Sequence, residues 1–348
     1  MIGPRAYASA EYMLFWYTPM NCPTLVTTTP SALVNNPTAA PATSFPSRPQ
    51  VHYDGVSGVR INAGMNFDKT GIDFSGFILD QRTITTSIAN NGSPVFIGRP
   101  FIDSTNGTPT TLNISSPNQY SGGVRSEITS QMFGMELNAK RSWYTLLADA
   151  TYLLAGVRYF DLQESIAVNS LSVFPTGDTV RIQDSVRTHN SFYGGQIGFT
   201  SVIGGFEPGF GASFTTKSGI GGVNQRVDLV GSNTILQNGT LGMESGGLFA
   251  RGLNAGSFSR VKFAYSQDLD IKLTYNFTCN LQVSCGYSLF YISSMVRPGD
   301  QVNPFINPNQ IRFTNGGLPT VPGPQPAFYW NSHSFVVQGV TFGARYSY

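Results

Sequence analysis

Few side chains in this sequence are equipped for catalysis. Histidine occurs three times, at His52, His189 and His333, and no two stand at a metal-binding spacing such as H-x-x-x-H. They read as scattered loop or rim residues. Ser259 and Lys262 form an S-x-x-K pattern, whose chemistry needs hydroxyl and amine side by side, as a helix allows. On a strand, positions i and i+3 point to opposite faces, so the pattern is set aside. Neither G-x-x-x-x-G-K-[ST] nor G-x-S-x-G occurs. The cysteines, Cys22, Cys279 and Cys285, are too few for a four-ligand zinc site. On one extended strand Cys279 and Cys285 would lie roughly 20 Å apart, so they can pair only across a turn. No cofactor is implied.

The charged residues are more telling. Lys, Arg, Asp and Glu make up 11% of 348 residues, while aromatics reach 13%. Soluble domains average about 25% charged. The formal net charge of +2 argues against a nucleic-acid partner. Five of the charges, Arg260, Lys262, Asp268, Asp270 and Lys272, share one parity of one segment. The other parity, from Val261 to Phe277, is apolar at eight of nine positions. Period 2 of this kind is a strand with one apolar and one polar face.

The same alternation recurs along the chain. Val59, Ile61, Ala63, Met65 and Phe67 oppose Arg60, Asn62, Gly64 and Asn66; Phe133, Met135 and Leu137 oppose Gly134, Glu136 and Asn138. Ten strands are predicted, at 5–17, 56–67, 70–88, 124–140, 143–165, 180–201, 204–229, 257–277, 280–293 and 333–348. The strand at 143–165 is apolar on both parities, so its facing stays open. Tight turns are expected at Asp68-Lys69-Thr70, Arg141-Ser142, Ile203-Gly204 and Thr278-Cys279. Long loops rich in Pro, Asn, Gly, Ser and Thr are expected at 18–55, 89–123, 166–179, 230–256 and 294–332. Short and long links that alternate put all long loops at one end of an up-and-down sheet.

That asymmetry, an even strand number and an apolar outer face predict an all-β, single-domain, antiparallel transmembrane barrel spanning residues 1–348. Closure follows, because an open edge in lipid would strand backbone N–H and C=O groups. A Lys or Arg facing lipid costs about 2–4 kcal/mol at the midplane, so the charged parity faces inward. The expected lumen-facing set is Glu11, Arg60, Glu136, Arg260, Lys262, Asp268, Asp270 and Lys272. Ten tilted strands enclose a clear bore of roughly 8–10 Å. Mixed charges across that gap leave two readings open: a narrow channel, or an ion-paired core with no pore. The loop at 294–332 is long enough to enter the mouth. In it Arg297 and Asp300 flank a Pro-Gly turn, and either pair to shape that turn or line a constriction. A rim protease would have only Asp80, Asp184 and His189 to draw on. In a soluble barrel the apolar face would instead form the core.

The chain resembles the putative β-barrel porin family (type seven) of planctomycete outer-membrane proteins, from about residue 6 to the end. The resemblance rests on Ser9–Tyr17, Leu153–Glu164, Phe192–Gly198 and, most specifically, Val296-Arg-Pro-Gly-Asp-Gln-Val-Asn-Pro304 followed by Asn307–Gln310. It implies a bacterial outer-membrane barrel, with membrane lipid as a partner and no assigned substrate. Family members usually begin with a signal peptide, which is not seen here; a mature, truncated or mis-set start is the expectation. The last strand places Phe342, Tyr346 and Tyr348 on one face, the aromatic ending read by the barrel-assembly machinery. The expected function is a porin-like passive channel for small solutes or a structural barrel, without enzymatic activity. The alternative is a closed barrel that binds or adheres through its external loops.

Overall fold

The computed structural model describes residues 5–30, 43–90, 95–145, 148–204, 208–311 and 325–348. Ten antiparallel strands form the wall: β1 Arg5–Tyr17, β2 Val56–Phe67, β3 Thr70–Ala89, β4 Ser121–Trp143, β5 Ala150–Val173, β6 Thr179–Gly204, β7 Gly209–Gln237, β8 Gly256–Asn276, β9 Leu281–Met295 and β10 His333–Ser347. Each pairs with its sequence neighbours, and β1 pairs with β10, with Glu11 opposite Gly343. The ladder is therefore closed, and the wall has no unpaired edge to expose in an apolar medium.

Several links differ from expectation. Arg141 and Ser142 remain in β4, opposite Leu153 and Tyr152, so the link to β5 is 144–149. Ile203 and Gly204 remain in β6, and Phe206 and Glu207 lie outside the described residues. Most of the loop expected at 166–179 is strand, leaving only 174–178. β7 runs on to Gln237 and is met by a return strand, Thr240–Ser245. In each case a ladder partner is available, so backbone pairing extends the strand through residues whose polarity suggests a loop. The β2–β3 turn is as short as expected: Asp68 takes φ 48°, a left-handed conformation that Asp tolerates.

The wall reverses its polarity halfway up. Near the short links the outward positions are apolar, among them Ile61, Leu137, Val157, Ile197, Ile271 and Leu273. Near the long loops the inward positions are apolar and buried: Ile128, Ile166, Val168, Val186 and Val227. There Arg125, Gln183, Arg187 and Arg226 face out into water. On β5 the reversal falls between Tyr159 and Leu162, which is why that strand is apolar on both parities. The rings of Phe133, Tyr159 and Tyr193 follow one another at 5.7 and 4.9 Å at this level, like an interfacial aromatic girdle. A hydrocarbon layer needs about 9–11 tilted residues per strand. β6 has 26 residues, so the wall continues well beyond it.

Loops fill this outer half. Met20, Leu25, Tyr53, Ile97, Phe249, Val296 and Ile306 are buried inside the wall. The loop strand Val26–Pro30 pairs with Val95–Asp103, which pairs in parallel with Phe305–Ile306. Three loops distant in sequence thus share one small sheet.

Candidate functional site

The lumen in the membrane half is a cavity of about 450 Å³ lined by charge. Two four-membered networks cross it. In one, Arg60 on β2 donates to Asp270 on β8 at 2.8 Å and lies 3.5 Å from Glu11 on β1. Lys272 on β8 meets Glu11 at 2.5 Å, and Asn62 and Ser288 add hydrogen bonds to Glu11 and Asp270. In the other, Arg158 on β5 donates to Glu136 at 2.7 Å and grips Asp268 on β8 with both terminal nitrogens. Lys217 on β7 pairs with Glu136 and lies 3.4 Å from Asp268. Arg60–Glu11, Arg158–Glu136 and Lys217–Asp268 join neighbouring strands, whereas Arg60–Asp270, Lys272–Glu11, Arg158–Asp268 and Lys217–Glu136 join strands three or four places apart and so tie separate walls together. Charges this buried are tolerable only when partnered.

Above the networks the cavity ends on Met13, Phe15, Met132 and Phe160. Phe160 of β5 and Phe290 of β9 touch across the bore at 4.9 Å. Higher still, Tyr17 packs against Phe335 and Tyr53, each at 5.8 Å. The lumen is an open, charged cavity below and is filled by packed side chains above.

Two buried ion pairs seat the loops in the packed half. Glu164 on β5 accepts Arg297 through both oxygens, at 2.8 and 2.6 Å, and Arg297 also donates to the Thr18 carbonyl at 2.7 Å. Asn190 on β6 both donates to and accepts from the Val296 backbone. The residues that follow, Pro298–Gln301, form one helical turn. A Cβ on Gly299 would stand 1.8 Å from the Asn21 carbonyl, so only glycine fits this contact. In the second pair, Asp184 on β6 receives Arg99 at 2.7 Å and the backbone N–H groups of Leu248, Phe249 and Ala250 at 2.8–3.0 Å.

The remaining candidates fall elsewhere. Arg260 stacks on Trp330 at 4.3 Å and donates to Gln225, while Lys262 is exposed and donates to Ser332. Neither joins the crossing networks, because at their height β8 faces the loop at 325–332 instead of a second charged wall. The Arg297 and Asp300 side chains form no ion pair with each other among the described residues; the Asp300 N–H donates to the Arg297 carbonyl at 3.1 Å and closes the turn through the backbone. Asp300 takes Asn21 at 3.1 Å and lies 3.7 Å from His333; burial pushes its carboxyl above the ordinary range. Asp80, Asp184 and His189 are not brought together: Asp184 points inward and His189 outward on the same strand. His189 does meet Asp161 at 2.6 Å and Ser191 at 3.1 Å, but both through Nε2. A relay needs the acid on one ring nitrogen and the hydroxyl on the other. Phe342, Tyr346 and Tyr348 are exposed on the outer face. Arg158 and Lys217 are not legible in the sequence pattern, because β5 is apolar on both parities and Lys217 sits in a Gly/Ser/Thr-rich run. The reversal of polarity on β5 was the one signal that could have placed Arg158.

Cys22 reports on the seated loops. Burial among them pushes its thiol up to about 12. Its thiolate fraction near neutral pH should be about a thousandfold below that of an ordinary cysteine. Cys279, exposed in the β8–β9 turn, should react with a hydrophilic maleimide in minutes. Mass spectrometry of the folded, labelled protein should find Cys22 unmodified; labelling at equal rates would contradict the packed outer half.

No curated protein matches the chain. Among solved structures, the outer membrane protease OmpT of Escherichia coli aligns over 99% of this chain and 97% of its own, at 9% identity and a TM-score of 0.44. The toluene transporter TodX of P. putida aligns over 98% and 89%, at 7% identity and a TM-score of 0.14. Neither likeness bears on what this chain does. The family model for putative beta barrel porin-7 matches residues 7–348, and the chain belongs to that family.

Proposed function

We propose that this outer-membrane barrel is closed to passive flow and works through its outer end, as a structural or surface-binding protein. The observation that carries the reading is the packed layer from Met13 and Phe160 up to Tyr17, Phe335 and the seated loops. A bore filled by close-packed side chains has no path for hydrated ions. The wall beyond the hydrocarbon layer and its shared loop sheet supply a rigid outer platform, and loops on such scaffolds commonly carry binding. The aromatic face of β10 is read as the signal for the barrel-assembly machinery.

Conductance across a planar bilayer tests this. The full-length barrel, with insertion verified by heat-dependent gel mobility, should be silent. A variant lacking 296–332 should show discrete steps. Steady steps from the unaltered protein would overturn the reading. They would favour a second one, a channel for small solutes gated by the loops, which the charged 450 Å³ cavity supports.

A further inference from the structure

In the membrane half of the lumen, the charges of the described residues balance except at the mouth near the short links. Deeper in, Glu11 and Asp270 face Arg60 and Lys272, two against two. Glu136 and Asp268 face Arg158 and Lys217, again two against two. At the mouth Asp73 holds Lys140 at 2.6 Å and accepts the Tyr7 hydroxyl at 2.7 Å. Arg345 adds a second cation there and makes no ion pair among the described residues. Its guanidinium lies 3.7 Å from the centre of the Tyr7 ring, and the Lys140 ammonium lies 5.0 Å from the same ring.

We infer that this mouth is a binding subsite for a small oxyanion, a carboxylate or a phosphate. A guanidinium whose face is covered by a ring keeps its N–H donors at the edge, in the fork that matches such anions. Arg345 lines the cavity, where low-dielectric walls strengthen an unbalanced charge. Its ladder neighbour Ser9 accepts from Asn62, which leaves the Ser9 hydroxyl proton free to donate. The ligand arrives from the short-link side; that direction rests on the closed lumen, whereas binding itself does not.

The probe is trifluoroacetate, observed by fluorine NMR with the full-length barrel in chloride-free detergent solution. Saturable line broadening is expected, reversed by excess acetate or inorganic phosphate. Reversal by acetate alone assigns a carboxylate ligand; reversal by phosphate alone assigns a phosphate. Arg345→Gln should weaken binding about tenfold or more, the loss of a charge-assisted pair of bonds. Arg125→Gln, at the opposite end and exposed beside Glu127, should bind as the unaltered protein does. Should Arg345→Gln fail to fold, Tyr7→Leu removes the ring that orients the guanidinium and should weaken binding in the same way. Broadening that never saturates, or equal affinity in the folded variant, overturns the proposal. Conductance steps in the bilayer would overturn the closed barrel and leave this binding in place.

Discussion

Asp184→Ala should lower the stability of the outer half by about 3–5 kcal/mol, the cost of removing one partner from a buried ion pair. Arg99 is 0% exposed, and its other guanidinium nitrogens, Nε and Nη1, have no hydrogen-bond partner among the described residues. Asp184 is therefore its one charged partner among the described residues, beside the Phe249 ring 4.9 Å from the guanidinium. The same carboxylate also gathers three successive backbone N–H groups, a small anion nest. Gly247 makes the approach feasible, since a Cβ there would stand 2.2 Å from Asp184 Oδ1. Urea unfolding in detergent, followed by tryptophan fluorescence, should show the loss, and protease should cut first within 246–255. Asp184→Asn, which keeps the shape and some acceptors, should lose less. Replacing both partners, Asp184→Leu with Arg99→Met, should recover only part of it: no charge is then left buried alone, but the Leu248, Phe249 and Ala250 N–H groups still lose their acceptor. A loss below about 1 kcal/mol in Asp184→Ala would contradict the buried pair.

Glu164→Ala should open the bore. Arg297 is buried and doubly bonded to Glu164, so among the described residues the variant leaves a guanidinium with the Thr18 carbonyl and the Phe335 ring but no anion. The expected cost is again about 3–5 kcal/mol, but the segment relieved of it is Val296–Gln310, which can leave the lumen for water. Two readouts should move together while a third holds. Cys22 becomes reactive to maleimide, discrete conductance steps appear, and heat-dependent gel mobility is kept because the ten-strand ladder is untouched. A silent bilayer with an unreactive Cys22 would show that other contacts hold the segment, with the Asn190 bonds to Val296 the first to test.

What the residues alone determine is local and periodic. Alternation through Val59–Phe67, Phe133–Leu137 and Val261–Phe277 identifies strands and an apolar face. The position of the long links orients the barrel, and the cost of a lipid-facing charge turns Glu11, Arg60, Glu136, Asp268, Asp270 and Lys272 inward. None of that needs knowledge of distant neighbours. The family resemblance read from Val296–Pro304 and Asn307–Gln310 is of the same local kind, and it agrees with the family match over 7–348.

Only the tertiary structure decides which face is apolar at which height. Period 2 reports that two faces differ, but whether the apolar one meets lipid or a packed interior depends on where the hydrocarbon layer ends along the assembled wall. On β5 that boundary falls within the strand, so Leu153 to Tyr159 and Leu162 to Val168 turn opposite parities to the same kind of surroundings. Partners of buried charges are equally invisible along the chain. Arg297 finds Glu164 at a separation of 133 residues, and Arg60 finds Asp270 at 210. The strand tilt and closure of the barrel set those meetings, and with them whether the lumen is open or packed.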